Sequence, residues 1–237
     1  MSLTINPGIS IKAGVRLFGS WTPSIVSANL LFDLDMKNYV SGQSWPDASN
    51  NYQDFTFSGT PTVVNQGTDR AYWDNTSNVL VANPNNGTIL PSGSYTKGAM
   101  VWTDGNVGGS NILSSSTSTD AFWTAATIYL NSGHNGQWST VISETPIVTS
   151  PPSWLYVAVT FDTTTGWVLY QNGEIVGTSA DTTPFIGDSA PQIGGFESSN
   201  NFTGKISAAH VYTRALTQDE IRQNYNHLRG RYNVTPA

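Results

Sequence analysis

The segment from Trp154 to Gly177 places the strongest constraint on the fold of this chain. Its first part, residues 154–161, is an unbroken run of β-branched and aromatic residues that ends in an Asp-Thr-Thr-Thr-Gly turn. Its second part, residues 167–171, ends in Asn172-Gly173, the pair that best tolerates the positive φ angles of a type I′ turn. The segment therefore predicts three consecutive antiparallel strands.

Neither face of the first of these strands is plainly polar. The side chains alternate between an apolar set and a mixed aromatic set, which are Leu155, Val157, Val159 and Phe161 on one face and Trp154, Tyr156 and Ala158 on the other. A strand that is dry on one side and mostly covered on the other belongs near the middle of a sheet in a two-layer β domain.

The rest of the chain repeats short apolar runs between turn clusters. From residue 52 to residue 150 these runs recur at roughly ten-residue spacing, with Gly, Asn and Pro between them, which predicts an all-β, two-sheet antiparallel jelly-roll sandwich. Residues 1–27 are interrupted by Pro7, Gly8, Gly14, Gly19 and Pro23. They form either edge strands of the main sheet or an extended arm that docks on another subunit, and residues 28–237 form the jelly-roll domain.

One short helix is predicted near the C-terminus, over about residues 218–229. Thr217 and Glu220 form a capping box, and Leu216 with Ile221 forms a hydrophobic staple. The helix is expected to stop near Arg229, with Gly230 at the C′ position.

The composition excludes several classes of partner and chemistry. Charged residues are only 11% of the chain, against about 25% in a typical soluble protein. The net charge is -6 without a basic stripe, so nucleic acid is not expected as a partner. The absence of cysteine excludes disulfides and thiolate metal sites. No signal peptide and no apolar run of about 18 residues is present, so neither secretion nor a membrane is expected.

The C-terminal half resembles the LamG-like jelly rolls of the concanavalin A-like lectin and glucanase superfamily. Residues 154–162 are similar to the family's W-x-H-V-A-x-T-F-D strand, with Tyr156 in place of the usual His, and residues 169–173 to its L-Y-x-N-G hairpin. Residues 202–206 and 211–221 are similar to its F-x-G-x-I and V-x-I-Y-x-R-A-L-S-x-x-E-I ending. The resemblance runs from about residue 28 to residue 231 and implies two stacked antiparallel sheets.

The last part of the chain resembles the version found in tailed-phage structural proteins. Residues 221–226 and 229–232 carry this likeness. With the low charge and the missing signal peptide, it leads us to expect a non-enzymatic virion protein, made in the host cytoplasm, of the tail, fibre or head decoration. Its expected partners are other virion subunits, in an oligomeric assembly, and cell-surface glycans. The alternative is a purely structural cement protein that docks through its N-terminal arm.

No catalytic residue is expected. A glucanase of this superfamily needs carboxylates spaced as E-x-D-x-x-E on one strand face, and the four glutamates are scattered. Asp33 and Asp35 share a strand face but are expected to be solvent-facing or capping residues. The three histidines, His134, His210 and His227, are far apart and are expected to be structural or at the surface, the last on the exposed side of the helix.

Two clusters combine an aromatic side chain with amide or carboxylate groups, the mixture that binds sugars. They are expected on loops and consist of Tyr72, Trp73, Asp74 and Asn75, and of His134, Asn135, Gln137 and Trp138. Because most of the eight Trp must be in the core, a structural role competes with binding in both.

No cofactor is required. Calcium is the candidate metal, with Asp69, Asp74, Asp104 and Asn106 as ligands, although turns need the same residue types. Where relatives commonly carry acids, this chain has Ser207-Ala208-Ala209, so any use of those acids is lost here.

Overall fold

The computed structural model describes residues 23–42, 44–52, 54–66, 71–75, 81–82, 92–103, 110–115, 120–125, 129–135, 142–146, 153–185, 190–195 and 200–232, with two short strands at 3–4 and 10–11. Its elements in chain order are β1 Leu3–Thr4, β2 Ser10–Ile11, β3 Leu30–Asp35, a 3-10 turn Met36–Asn38, β4 Ser44–Trp45, β5 Phe55–Phe57, β6 Thr62–Asn65, β7 Ala71–Asp74, β8 Val81–Ala82, β9 Tyr95–Thr103, β10 Ser110–Ser115, β11 Asp120–Ala125, β12 Tyr129–His134, β13 Ile142–Pro146, β14 Ser153–Asp162, β15 Gly166–Gln171, β16 Glu174–Ser179, β17 Pro191–Ile193, β18 Lys205–Tyr212 and α1 Gln218–Arg229.

The strands form two antiparallel sheets that pack face to face. The first sheet has the order β16-β15-β14-β9-β18-β7-β6, with β3 also pairing β18. The second has the order β13-β12-β11-β10-β17-β8-β5-β4. Helix α1 packs on the outer face of the first sheet, which we call the helix-bearing sheet. The predicted jelly-roll sandwich with one short C-terminal helix is therefore confirmed.

The three-strand segment that constrained the prediction folds as expected. Strand β14 pairs with β15, and β15 pairs with β16, all antiparallel. Asn172 and Gly173 take φ angles of 52° and 87°, as a type I′ turn requires. Strand β14 lies inside the sheet, because it pairs with β15 on one edge and β9 on the other, and both of its faces are covered.

Strand β9 is the other central strand of the helix-bearing sheet, since it pairs with β14 on one side and β18 on the other. Its side chains alternate between the sandwich core and the outer face. The inner set is Tyr95, Lys97, Ala99, Val101 and Thr103, and the outer set is Thr96, Gly98, Met100 and Trp102. One strand thus supplies both the core and the surface on which α1 lies.

A buried ion pair joins the two sheets. Lys97 Nζ on β9 lies 2.8 Å from Asp120 Oδ2 on β11, and neither side chain is exposed. The ring of Tyr95 lies 5.5 Å from the same ammonium group. Removal of either partner would leave an unpaired charge in the core, which is strongly destabilising.

Helix α1 begins as the sequence predicts. Thr217 and Glu220 form the capping box in both directions, and Arg214 pairs with Glu220 at 2.5 Å. The Thr96 hydroxyl on β9 donates to the Arg214 carbonyl at 2.8 Å and accepts the Leu216 amide at 2.9 Å. The start of the helix is therefore fixed to the central strand.

The C-terminal end of α1 differs from the prediction. Gly230 has a φ angle of −60° and is right-handed, so it does not take the left-handed C′ conformation. The amides of Arg231 and Tyr232 instead donate to the Leu228 and Arg229 carbonyls, which continues the chain as a turn. This continuation carries Tyr232 onto the sheet.

Polar side chains are sealed under the helix. His210 Nε2 and the Tyr156 hydroxyl lie 2.6 Å apart, and burial lowers the pKa of His210 to about 3. A Cβ at Gly98 would lie 2.5 Å from His210 Nε2, so glycine makes room for this hydrogen bond. His210 is structural, as expected.

His227 was expected on the exposed side of α1, but it is partly buried and its Nδ1–H donates to the Pro23 carbonyl, so that prediction is wrong.

Part of the predicted N-terminal arm lies on this helix. Gln223 Nε2 donates to the Ser24 carbonyl at 2.9 Å, and the Val26 amide donates to Asn224 Oδ1 at 2.8 Å. Strands β1 and β2 pair with each other, and the remainder of residues 1–22 lies outside the described residues. Docking of the arm on another subunit stays a prediction. In the part of the chain described, no helix has the length and apolar character needed to cross a membrane.

Asp33 and Asp35 share the outer face of β3, as the alternation predicted. Asp35 accepts the Lys37 amide at 3.0 Å as the cap of the 3-10 turn and pairs with Arg231 at 2.6 Å, so it is a capping residue. Burial, together with the neighbouring Asp35 and Asp47 carboxylates, raises the pKa of Asp33 from 3.8 to about 7.

We expect Lys97→Met to lower the free energy of unfolding by about 3–5 kcal/mol, because Asp120 would be left as a buried unpaired charge. The double variant Lys97→Met/Asp120→Leu removes both charges and should recover most of that loss. Urea unfolding of the wild type, both single variants and the double variant measures the coupling. A single-variant loss below about 1 kcal/mol contradicts the role given to this ion pair.

We expect Asp33→Asn to stabilise the protein above neutral pH. A folded-state pKa raised to about 7 means that the stability contributed by protonated Asp33 is complete below pH 3.8 and is lost as the pH rises through 7. Asn is neutral throughout, so the variant should exceed the wild type by about 1–3 kcal/mol at pH 8 and by less at pH 5. Urea unfolding at both pH values tests this, and equal stabilities at pH 8 would contradict it.

Candidate functional site

His134, the first residue of one predicted cluster, does not lie on an exposed loop. His134 is the last residue of β12, pairs with Asp120 of β11, and is 2% exposed. Its Nε2–H donates to the Thr183 carbonyl at 2.8 Å, and the rings of Phe161 and Trp167 each lie 4.7 Å away. Burial lowers its pKa, so His134 is a neutral core residue and the predicted loop position is wrong.

The other members of that cluster are divided between the turn and the undescribed part of the chain. Asn135 has a φ angle of 57° and its amide donates to the Pro184 carbonyl at 2.8 Å. Gln137 and Trp138 lie outside the described residues, so their role in binding stays a prediction.

The second predicted cluster lies on strand β7 and its neighbour Asn75, not on a loop. Trp73 points into the core, is fully buried, and lies 5.3 Å from the ring of Phe57. Asn75 is 1% exposed and donates to the Gly194 carbonyl at 2.9 Å. Neither side chain can reach a ligand. Tyr72 and Asp74 alternate with them and therefore point to the outer face of the helix-bearing sheet.

These two residues join a group of side chains from neighbouring strands. Trp102 of β9 is the register partner of both Trp154 on β14 and Lys205 on β18, and Lys205 is the partner of Asp74. Four strands thus bring Tyr72, Asp74, Trp102, Trp154 and Lys205 together on one face. We call these five residues the aromatic patch.

The aromatic patch consists of tilted rings around one cation. Lys205 Nζ lies 4.3 Å from the ring centre of Trp102 and 5.0 Å from that of Tyr72. The Trp154 ring lies 5.5 Å from Tyr72 and 4.1 Å from Tyr232. Trp102, Trp154, Lys205 and Asp74 are each partly exposed, whereas Tyr72 is 7% exposed.

A residue that follows α1 packs against one edge of the aromatic patch. The Tyr232 hydroxyl donates to the Ala71 carbonyl at 2.9 Å and contacts the Ser207 hydroxyl. This fixes the Tyr232 ring against Trp154. The aromatic patch is therefore held rigid at one edge and partly open elsewhere, as a binding surface must be.

A third partly exposed tryptophan lies on the opposite sheet. Trp123 of β11 is flanked across the strands by Asn111 and Asn131. These amides are 4% and 1% exposed, so they are not accessible beside the ring. Trp123 provides a comparison for the aromatic patch, because it is a partly exposed tryptophan on the other sheet and both amides opposite it are buried.

Sequence reasoning missed Trp102, Trp154 and Lys205 as candidate binding residues. A signal was present, because strand alternation already placed Trp154 opposite the core set of β14. Only the strand register shows that Trp102 and Lys205 lie beside it.

Most of the predicted calcium ligands lie outside the described residues. Asp69, Asp104 and Asn106 lie outside the described residues, and Asp74 lies in the aromatic patch. Among the residues that are described, no three His, Cys, Asp or Glu side chains gather as metal ligands do. Calcium binding stays a prediction.

Comparisons with known proteins agree with this architecture. The family model of the concanavalin A-like lectin/glucanases superfamily, Laminin_G_3, matches residues 74–222, which is more than half of the chain. A search of curated proteins found no match.

Solved structures share the fold at low sequence identity. Domain 4 of AbnA, an extracellular arabinanase from Geobacillus stearothermophilus solved with arabinotriose, has a TM-score of 0.65 and 14% identity, over 83% of this chain and 98% of that one. The binding domain of botulinum neurotoxin DC, solved with rat synaptotagmin II, has a TM-score of 0.60 and 15% identity over 86% of this chain.

A structure of botulinum neurotoxin type C, whose cell entry depends on interaction with two ganglioside molecules, has a TM-score of 0.58 and 15% identity over 85% of this chain. This chain spans about half of each neurotoxin chain, since it covers 52% of both. The fold is of the concanavalin A-like lectin type. The chain belongs to the concanavalin A-like lectin/glucanases superfamily.

Proposed function

We propose that this domain is a non-enzymatic carbohydrate-binding module that holds a sugar chain on the aromatic patch. The observation that carries the proposal is the pair of partly exposed tryptophans, Trp102 and Trp154, directly opposite each other on adjacent strands. The apolar face of a pyranose or furanose ring stacks on such side chains, and polar groups beside them fix its orientation.

The structural neighbours support a sugar as the ligand. The arabinanase domain was solved with arabinotriose, and the type C neurotoxin interacts with gangliosides. Their identity to this chain is 14% and 15%, so they support the class of ligand and not its identity.

The carboxylates support binding without hydrolysis. Glycosidases bring two carboxyl groups to within about 5–10 Å of each other across the scissile bond. Asp35 is held by Arg231 and Lys37, and its side chain is 4% exposed, so it cannot attack a sugar. Among the described residues of the aromatic patch, Asp74 is the one carboxylate.

The setting that we propose for this module is the surface of a bacteriophage particle. The support is the resemblance of residues 221–226 and 229–232 to tailed-phage structural proteins. The low content of charged residues fits a surface that meets neutral polar partners. Mass spectrometry of purified particles tests this setting, and absence of the protein from them would contradict it.

We expect Trp102→Ala to weaken glycan binding about tenfold, since loss of one stacking partner removes about 1–1.5 kcal/mol. Arabinotriose and the best oligosaccharide from an array of bacterial, algal and plant glycans serve as probes, measured by isothermal titration calorimetry. Trp123→Ala is the matched control, because it removes a partly exposed tryptophan from the other sheet. It should leave the Kd unchanged.

Thermal unfolding of both variants separates loss of binding from loss of structure. Two results would contradict the proposed function. One is the absence of binding to any glycan on the array by folded wild-type protein. The other is the reverse pattern, in which Trp123→Ala abolishes binding and Trp102→Ala does not.

A further inference from the structure

Most of the cations in the described part of the chain form ion pairs. Among the described residues, five Lys or Arg side chains each have a carboxylate within 4 Å, in the pairs Lys37–Asp35, Lys97–Asp120, Arg214–Glu220, Arg222–Glu174 and Arg231–Asp35. Of the described cations, Lys205 and Arg229 lack such a partner. Arg229 donates to Asn226 Oδ1 at 2.6 Å and lies over the ring of Tyr225. Lys205 is the one in the aromatic patch.

Lys205 is positioned by aromatic rings and not by a carboxylate. The ring centres of Trp102 and Tyr72 lie 4.3 Å and 5.0 Å from its ammonium group. Contacts of this kind occupy no N–H donor through a conventional acceptor. Because Lys205 is partly exposed, its ammonium group keeps donors for a group that arrives from solvent.

Asp74 is the acidic group that faces Lys205 from the next strand. The two residues are register partners, yet their charged atoms are farther apart than ion-pair distance in the described structure. Asp74 Oδ1 is buried, so that oxygen is turned away from solvent. The net charge of the aromatic patch is close to zero, and attraction of an anion must come from direct contact with Lys205 instead of long-range steering.

We propose that the aromatic patch binds an acidic sugar, whose ring stacks on Trp102 and Trp154 while its carboxylate accepts hydrogen bonds from Lys205 Nζ. This inference rests on the proposed function and names the chemical class of its ligand. A hydrogen bond between two charged groups strengthens binding by about tenfold or more, which is more than a sugar hydroxyl provides. An uncharged sugar would leave the ammonium without a charged acceptor.

The test compares uronic-acid oligosaccharides with their own methyl esters. Oligogalacturonate and oligoguluronate, each with its fully esterified form, are titrated into the full chain by calorimetry. Esterification keeps the sugar ring and removes the charge. We expect at least one acid to bind about tenfold or more tighter than its ester, from the charged hydrogen bond alone.

Two variants assign that preference to one side chain. Lys205→Met keeps a long apolar stem beside Trp102 and removes the charge, so acid and ester should bind with equal Kd. Arg229→Met removes the other described cation without a carboxylate partner and should leave the preference intact. Because net charge of the patch is low, raising the salt from 50 to 200 mM should change Kd by less than about threefold.

The possible failures are distinguishable. Equal binding of acid and ester by the wild type, with Trp102→Ala still weakening both, overturns the acidic ligand and leaves the proposed function standing. An acid preference that survives Lys205→Met also overturns the inference. If neither form of either oligosaccharide binds and the glycan array is silent, the proposed function fails together with this inference.

Discussion

The pairing of β9 with β14 on one side and β18 on the other is the constraint on which the rest of the structure depends. Because side chains alternate along a strand, this single element faces two environments. Its inner face carries Lys97 into the buried ion pair with Asp120 of the opposite sheet. Its outer face holds the start of α1 through Thr96 and ends in Trp102. The core, the start of the helix and the candidate site therefore all depend on the pairing of these three strands.

The aromatic patch lies on the same face of the helix-bearing sheet as α1. Under the helix, outward side chains such as Tyr156 and His210 are sealed and hydrogen-bonded. Beyond it, Trp102 and Trp154 remain partly exposed. The same face thus contributes to stability at one end and to binding at the other.

Two predictions that depended on a few adjacent residues were accurate, one for a turn and one for a helix start. The type I′ turn at Asn172-Gly173 and the capping box at Thr217 are set by local backbone geometry, so the sequence identified them. The predicted loop positions of Tyr72, Trp73 and His134 were wrong because Asn, Asp and Gly near a strand end resemble a turn. The prediction for Gly230 was also wrong. Gly230 is right-handed, and the turn that follows it brings Tyr232 against Trp154 on the sheet.

The sequence by itself determined the strand alternation, the central hairpin, the helix and the lectin-like superfamily. These follow from side-chain periodicity and backbone preferences that act over a few residues. Only the tertiary structure decided which outward side chains the helix covers, and that Lys205 of β18 lies over Trp102 of β9. These contacts depend on the register between strands far apart in sequence and on the position of the helix on the sheet. Neither is encoded in any single segment.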